Sequence, residues 1–129
     1  MDGPRLRELH RLAIERHGGE HGILDVGGVD GAFDQARTKA AITSEAADDP
    51  LHVAVHLLVV LVRNHYFLDG NKRVGWLAME DHLRGAGLRV EMSTDDAEAL
   101  VMRLADGTAS TSAFADAVQG IAAGLRADR

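Results

Sequence analysis

Residues 50–73 read PLHVAVHLLVVLVRNHYFLDGNKR, and this stretch decides the fold. Its first part, from Leu51 to about Tyr66, is apolar almost all round, with His52 and His56 among its few polar residues. The run is too long for a usual strand and too short for the roughly 20 residues that a membrane span needs. We therefore predict a central buried helix, although the valine content would also suit a strand.

The spacing of apolar residues and the positions of glycines and cap residues predict the elements around this helix. A first helix runs through Leu6, Leu9, Leu12 and Ala13 and ends at Gly18-Gly19, and a glycine-rich loop or flap follows over about 18–31. Further helices are predicted from Asp30, with Phe33, Ala36 and Ala40, and from near Asn71 to Gly85. A short extended segment from Leu88 to Met92 then precedes a helix from Ser93-Thr94 to near Gly107 and a last helix from Thr111-Ser112 to about Leu125. The predicted fold is all-α: a single domain over residues 1–129, built as a compact bundle of about six helices.

Composition limits the classes of function. The 129 residues contain no cysteine, which excludes disulfides, thiolate nucleophiles and zinc–thiolate sites. The net charge is −6 and no basic block is present, so we expect no direct binding of nucleic acid. The segment after Met1 has no apolar signal core, and we expect a cytoplasmic protein without a membrane span.

Charge and glycine are concentrated in the stretch from Asp69 to Arg73, where we expect the chain to turn into a helix. The free N–H groups of a helix start and the helix dipole favour an anion, and Gly70 allows a phosphate to approach closely. The planar guanidinium group of Arg73 can donate two hydrogen bonds to one phosphate, and Lys72 supplies a compact cation for a second phosphate. Gly70, Asn71, Lys72 and Arg73 are therefore the predicted residues for binding a nucleoside triphosphate.

Two further side chains complete the predicted site. Asp69 cannot bind phosphate directly, because both are anions, but its carboxylate can hold Mg²⁺ that bridges phosphate oxygens. His65 is predicted to be the general base that removes the proton of an attacking hydroxyl. Phe67 is expected to anchor the loop in the core and so to fix the imidazole. The catalytic candidates are His65, Asp69, Lys72 and Arg73.

The nine residues from His65 to Arg73 resemble the motif of the Fic/Doc family, His-x-Phe-x-(Asp/Glu)-Gly-Asn-Gly-(Arg/Lys), which a further arginine follows. Lys72 replaces the last glycine of that pattern, and Trp76 stands at the later arginine position. Both departures resemble the death-on-curing (Doc) branch, the toxins of Phd–Doc toxin–antitoxin systems. The segment 18–25 also resembles the stretch that Doc-like proteins carry after their first helix.

The resemblance implies a reaction and partners. In this family, glycine at the position of Lys72 goes with nucleotidyl transfer, usually of AMP, whereas lysine is associated with a reversed nucleotide and transfer of the γ-phosphate. This implies a protein kinase that uses ATP and Mg²⁺, phosphorylates a Ser/Thr hydroxyl of a translation factor, by analogy elongation factor Tu, and inhibits protein synthesis. The implied partner is a Phd-type antitoxin, whose C-terminal segment folds as a helix into a groove on the toxin.

Several alternatives stay open at this point. The same site could transfer AMP, or the chain could be a catalytically idle corepressor that works only through its antitoxin. His52 and His56 are four residues apart and could hold zinc together with His65, although a His-Glu-x-x-His motif is absent. Arg63 could bind phosphate or a protein substrate, or it could be an ordinary ion-pairing arginine.

Two other patterns have a structural interpretation. Trp76, Met79 and Leu83 recur at helical spacing and are predicted core residues. The stretch from Thr94 to Glu98 is close to the inhibitory-helix motif of some family members, but Ala99 follows it. We therefore predict helix capping there, and inhibition by another chain.

Overall fold

The computed structural model describes residues 1–43, 49–106 and 111–128. Its elements, in chain order, are α1 (Gly3–His17), α2 (Val26–Thr43), α3 (Pro50–Arg63), α4 (Asn71–Gly85), β1 (Leu88–Val90), α5 (Thr94–Ala105), α6 (Thr111–Ala123) and β2 (Leu125–Ala127). Helices dominate the described ranges, and the predicted all-α bundle is confirmed.

Helix α3 forms the centre of the bundle, as predicted. Every residue from 53 to 62 is buried, with exposed fractions of at most 7%. Its N-terminus is capped by Asp49, whose carboxylate accepts a hydrogen bond from the Leu51 N–H at 3.1 Å. A helix buried all round explains why this segment carries almost no polar side chains.

The end of α3 differs from the prediction, because the helix stops at Arg63 and not near Tyr66. The Asn64 side-chain amide donates a hydrogen bond to the Val60 carbonyl at 2.8 Å, and the backbone of Asn64 is extended. Such local side-chain bonds compete with the helix for backbone groups. Residues 64–70 are thereby left to form the loop that leads into α4.

Two hydrophobic clusters lie on opposite sides of α3. One joins α3 to α4, α5 and α6, and it contains the predicted core residues Met79 and Leu83, both fully buried. The other joins α3 to α1, α2 and α4, and it contains Phe67, which is 1% exposed. Since α4 packs into both clusters, its N-terminus is held firmly beside the end of α3.

The flap is shorter than predicted and spans residues 18–25, because α2 begins before Asp30. The Asp25 carboxylate accepts a hydrogen bond from the Gly28 N–H at 2.8 Å and so starts the helix. Gly28 was expected in the flap but lies inside α2 against Tyr66, where an added Cβ would come within 2.4 Å of the ring. This glycine therefore serves close packing and not a loop.

The C-terminus also differs from the prediction, because the last helix does not continue to Leu125. Strand β2 pairs instead with β1 in an antiparallel sheet, with Leu88 opposite Ala127. The Glu91 N–H donates to the Gly124 carbonyl at 2.7 Å and extends this pairing past the end of the helix. β1 itself lies in the predicted extended segment.

Helix α5 ends at Ala105, and its predicted end near Gly107 falls outside the described residues. Among the helices of the described ranges, none combines the length and the apolar character that crossing a bilayer requires.

Candidate active site

The first turn of α4 presents backbone N–H groups to solvent. Gly70 is the N-cap in a left-handed conformation, with φ 76° and ψ 16°, and it has no side chain to accept a hydrogen bond. The first bond of the helix runs from the Val74 N–H to the Gly70 carbonyl at 2.9 Å. The N–H groups of Asn71, Lys72 and Arg73 therefore have no partner one turn earlier, and they can bind an anion.

Asn71 and Phe67 close the loop before this helix. The Asn71 side chain accepts a hydrogen bond from the Phe67 N–H at 3.1 Å and donates one to the Phe67 carbonyl at 2.9 Å. The Phe67 ring is buried, which agrees with its predicted role as an anchor. The Asn71 side chain is thus engaged within the loop, and the backbone N–H of this residue remains available for a ligand.

Two backbone N–H groups hold the carboxylate of Asp69. Oδ1 accepts from the Gly70 N–H at 2.8 Å, and Oδ2 accepts from the Glu20 N–H of the flap at 3.3 Å. Gly19 permits this approach: its φ is +109°, and a Cβ there would lie 2.7 Å from Oδ2. The Gly70 N–H is thus occupied, and the anion-binding N–H groups begin at Asn71.

The exposed Asp69 carboxylate has the chemistry that Mg²⁺ prefers, and each of its oxygens keeps a lone pair beyond the bond it already accepts. Within the described residues, no group of three His, Cys, Asp or Glu side chains could enclose a metal ion. Asp69 is the residue that would hold Mg²⁺, and the ion would supply positive charge beside bound phosphates.

The two motif cations are both exposed, and they are placed differently. Arg73 donates one N–H to the His17 carbonyl at the end of α1, at 3.1 Å, which leaves most of its planar fork available. Lys72 forms no ion pair with any described residue.

Arg63 does not face the motif cations: its Nε donates to the Leu104 carbonyl at 2.8 Å and connects α3 to α5. Of the interpretations left open for Arg63, a structural one fits this contact.

One cavity of about 550 Å³ brings the predicted site residues together. It is lined by all six of them, His65, Asp69, Gly70, Asn71, Lys72 and Arg73, together with His17, Gly18, Gly19, Val62 and Leu68. Its volume is in the usual range for small-ligand sites. His65 is exposed and stands in the loop after α3, so a substrate can reach its imidazole.

A second groove of about 510 Å³ adjoins this cavity and shares His17, Lys72 and Arg73 with it. Its remaining wall is largely apolar and includes Trp76, Leu77, Val90, Met92, Val101 and Met102. Trp76, predicted as core, is only partly buried and lines this groove. The groove depends on α5 and β1 meeting α4, and helical spacing alone gives no signal for it.

Glu80 is the acid of α4 in this groove, one turn after Trp76. Burial raises the pKa of Glu80 above its ordinary value, while Arg84 and a hydrogen bond with Trp76 act in the opposite direction. A carboxyl group in an apolar wall can discriminate among ligands by hydrogen bonding.

The flap lies along the motif loop. Ile23 forms an antiparallel bridge with Phe67, and the Leu24 N–H donates to the Tyr66 carbonyl at 2.8 Å. Ile23 and Leu24 are nevertheless exposed, at 37% and 62%. The flap thus exposes apolar side chains next to the motif loop.

His52 and His56 face different partners. His52 Nδ1 contacts the Asp49 carboxylate at 2.6 Å, next to the cap of α3. His56 is buried, bonds to Thr43 Oγ1 at 3.0 Å and stacks on Phe114 with ring centroids 4.3 Å apart. Each histidine therefore has a structural role, and the zinc interpretation finds no ligand set here.

Comparison with known proteins identifies the family. Residues 2–83 match the profile of the Fic/DOC family, a span that covers α1 to α4 with the flap and the motif loop. The chain belongs to the Fic/Doc family. It is 32% identical over 111 residues to "Protein kinase doc" of Escherichia phage P1, covering 86% of each chain. It is 35% identical over 109 residues to "Toxin Doc" of Mycolicibacterium smegmatis (strain ATCC 700084 / mc(2)155), covering 82% of each.

Family membership confirms the resemblance that the motif carries. The profile ends at residue 83, so the apolar groove formed with α5 lies partly beyond the matched span. The two relatives extend the similarity over most of the chain.

Proposed function

We propose that this chain is the toxin of a toxin–antitoxin pair and acts as an ATP-dependent protein kinase. The observation that carries the proposal is the single cavity at the start of α4, which joins an accessible histidine, an exposed carboxylate, free N–H groups and two cations. These are the parts that phosphoryl transfer needs, since the reaction depends on positioning and on stabilising phosphate charge. The names of the two relatives, a protein kinase and a toxin, support it.

In the proposed reaction, the hydroxyl oxygen of a Ser or Thr attacks the γ-phosphorus of ATP. His65 takes the hydroxyl proton, the bond from the γ-phosphorus to the bridging oxygen breaks, and ADP leaves. The N–H groups of Asn71 to Arg73 bind the phosphate oxygens, and Lys72 and Arg73 neutralise their charge. Mg²⁺ held by Asp69 would offset the charge on the phosphates.

The adjoining apolar groove supports a nucleotide as the ligand. A nucleotide has a charged chain of phosphates and a flat, largely apolar base, and the two connected spaces match these two parts. We place the base in the groove beside Trp76, where an aromatic face can stack on it. The cations Lys72 and Arg73 stand at the border between the two spaces.

The proposed substrate is a translation factor, elongation factor Tu by analogy with the Doc branch, and its phosphorylation would stop protein synthesis. Such a substrate requires action in the cytoplasm. The proposed partner is a Phd-type antitoxin. Both assignments rest on the family resemblance, and the exposed flap residues Ile23 and Leu24 offer a surface for a protein beside His65.

In the decisive experiment, the purified chain is incubated with a bacterial extract and with ATP that carries a label in either the α- or the γ-phosphate. Kinase activity labels a protein band from γ-labelled ATP only, and mass spectrometry then identifies the target. Label from α-labelled ATP alone would show AMP transfer and reject the kinase assignment.

Expression in cells separates catalysis from binding. We expect growth arrest by the wild type and its loss in His65→Ala and in Asp69→Ala, with all three proteins present at equal levels. Equal arrest by the three would identify an idle module that acts through binding only.

A further inference from the structure

His10 lies on α1, far from the motif in sequence, and yet it touches the motif loop. Its side chain is 4% exposed, and Nε2 lies 2.7 Å from the carbonyl oxygen of Asp69. A carbonyl only accepts hydrogen bonds, so the proton must be on Nε2 and His10 is the donor. The ring also stacks on Phe67, with centroids 4.0 Å apart and planes within 10° of parallel.

This hydrogen bond acts on the peptide unit that leads into the anion-binding turn. The Asp69 carbonyl and the Gly70 N–H are the two ends of one planar peptide. His10 holds the carbonyl end, and the Asp69 carboxylate holds the N–H end at 2.8 Å. With both ends held, rotation of this peptide plane is restricted, and the backbone that leads into the first turn of α4 keeps its orientation.

Helix α1 is a firm support for such a contact. The Arg5 guanidinium donates two hydrogen bonds to the Asp81 carboxylate of α4, at 2.6 and 3.2 Å. These hydrogen bonds lower the pKa of Asp81. One turn after His10, Ile14 comes within 3.1 Å of the Cβ position of Gly70. α1 is therefore fixed against the same helix whose N-terminus forms the site.

Histidine suits this position because it combines a flat ring with a donor at its tip. An apolar residue of similar size would fill the space but leave the Asp69 carbonyl without its partner. Glutamine would keep a donor at the end of the side chain but lose the stacking on Phe67. These differences allow the hydrogen bond to be tested separately from packing.

We propose that His10 is a positioning residue: through its Nε2–H bond to the Asp69 carbonyl, it holds the Asp69–Gly70 peptide in the orientation that the site requires. The effect on catalysis rests on the proposed function. The effect on the conformation of the loop does not.

The test compares His10→Met, which removes the donor, and His10→Gln, which keeps one, with Leu6→Ala as the matched control. Leu6 is one turn earlier on α1, 1% exposed and in the same hydrophobic cluster as Phe67, so its truncation destabilises the core without removing the bond. All proteins are studied at a temperature at which circular dichroism shows them folded. Two quantities are measured: the NMR shifts of the Asp69 carbonyl carbon and Gly70 amide, and the rate of γ-phosphate transfer.

We expect His10→Met to shift both resonances more than Leu6→Ala does and to lower kcat/KM by about 10-fold to 100-fold, as loss of positioning does. His10→Gln should restore the rate to within about threefold of wild type, as expected for a retained donor. Unshifted resonances in His10→Met, or an equal loss of rate in Leu6→Ala, would overturn the proposal. If wild type transfers no phosphate, the proposed function fails, while the resonances still decide the role of His10.

Discussion

In the proposed reaction, Lys72 is the side chain that we expect to determine which phosphate of ATP is transferred. It follows the N-cap of α4 by two positions, is exposed, and lines both the motif cavity and the adjoining groove. A long cation at this place adds charge for phosphate but also occupies space that a glycine would leave open. Its charge and its bulk can be separated by substitution.

For Lys72→Gly, we predict that labelling of the target from γ-labelled ATP falls by at least about tenfold, as loss of a phosphate-binding group does, and that labelling from α-labelled ATP appears. Lys72→Met is the control, because it keeps the bulk and removes the charge. It should lose γ-transfer without gaining α-transfer. If Lys72→Gly transferred the γ-phosphate at the wild-type rate, Lys72 would have no role in binding the phosphates.

At the scale of elements, the site is made where α1, the flap and the loop before α4 meet. The flap crosses the motif loop through backbone bonds, and Gly19 lets it approach the carboxylate of Asp69. Helices α4 and α5 then form the apolar groove beside it. Changes in these elements should therefore affect the site without touching its catalytic side chains.

Gly19→Ala and Gly31→Ala should change stability in opposite directions. Gly19 has φ +109° and no room for a Cβ, so alanine there should cost about 1–2 kcal/mol and loosen the flap. Gly31 lies within α2 with nothing within 4 Å of its Cβ position, so alanine should stabilise by up to about 1 kcal/mol through helix propensity. Thermal unfolding measures both. A Gly19→Ala protein as stable as wild type would contradict the described contact of the flap with Asp69.

The groove can be tested at Met102 of α5, which is 57% exposed and part of its wall. Met102→Glu places a negative charge in the groove that we propose for the nucleotide base, where it would repel the nearby phosphates. We expect the affinity for ATP and Mg²⁺, measured by calorimetry, to fall about tenfold, which corresponds to about 1.4 kcal/mol.

The matched control is Ile42→Glu, because Ile42 is 78% exposed and lies on α2 outside the groove. It should leave the affinity as in wild type. Equal affinities for wild type and Met102→Glu would place the base somewhere else.

At the scale of the whole molecule, the buried His56 and the half-buried His82 link folding to pH. Burial lowers the pKa of His56 below its ordinary value of 6.5, and the positive charges of Lys39 and His52 act in the same direction. Burial also lowers the pKa of His82, with the N-terminal amino group assisting and Asp81 opposing. Both histidines are therefore neutral in the folded protein at pH values where the unfolded chain binds protons.

The free energy of unfolding should decrease as the pH falls. Because both folded pKa values are depressed, this stability is fully present above about pH 6.5 and is lost as the pH falls through that value towards the folded pKa values. Urea unfolding between about pH 7.5 and 5 measures the slope. His56→Gln should reduce it, and an unreduced slope in that variant would show that His56 does not contribute.

Local sequence was sufficient for most of the helices and for the composition of the site. The apolar run of α3 and the glycine stop after α1 are determined by neighbouring residues, and both were predicted correctly. The nine residues from His65 to Arg73 are contiguous, so the loop and the helix start that follows it could be predicted from the sequence alone. The six predicted site residues among them line one cavity because the path between them is short.

Contacts between distant parts of the chain were decided only by tertiary structure. Gly28 lies in α2 with Tyr66 packed against it, and β2 pairs with β1 directly after the last helix. His10 and Asp69 are 59 residues apart, so no local pattern marks their hydrogen bond. The presence of the helices and the chemistry of the motif could be predicted from the sequence, since both depend on near neighbours, whereas several helix ends could not. Packing of α1 and the flap onto the motif loop decided the orientation of that chemistry, because only the folded chain brings those groups into contact.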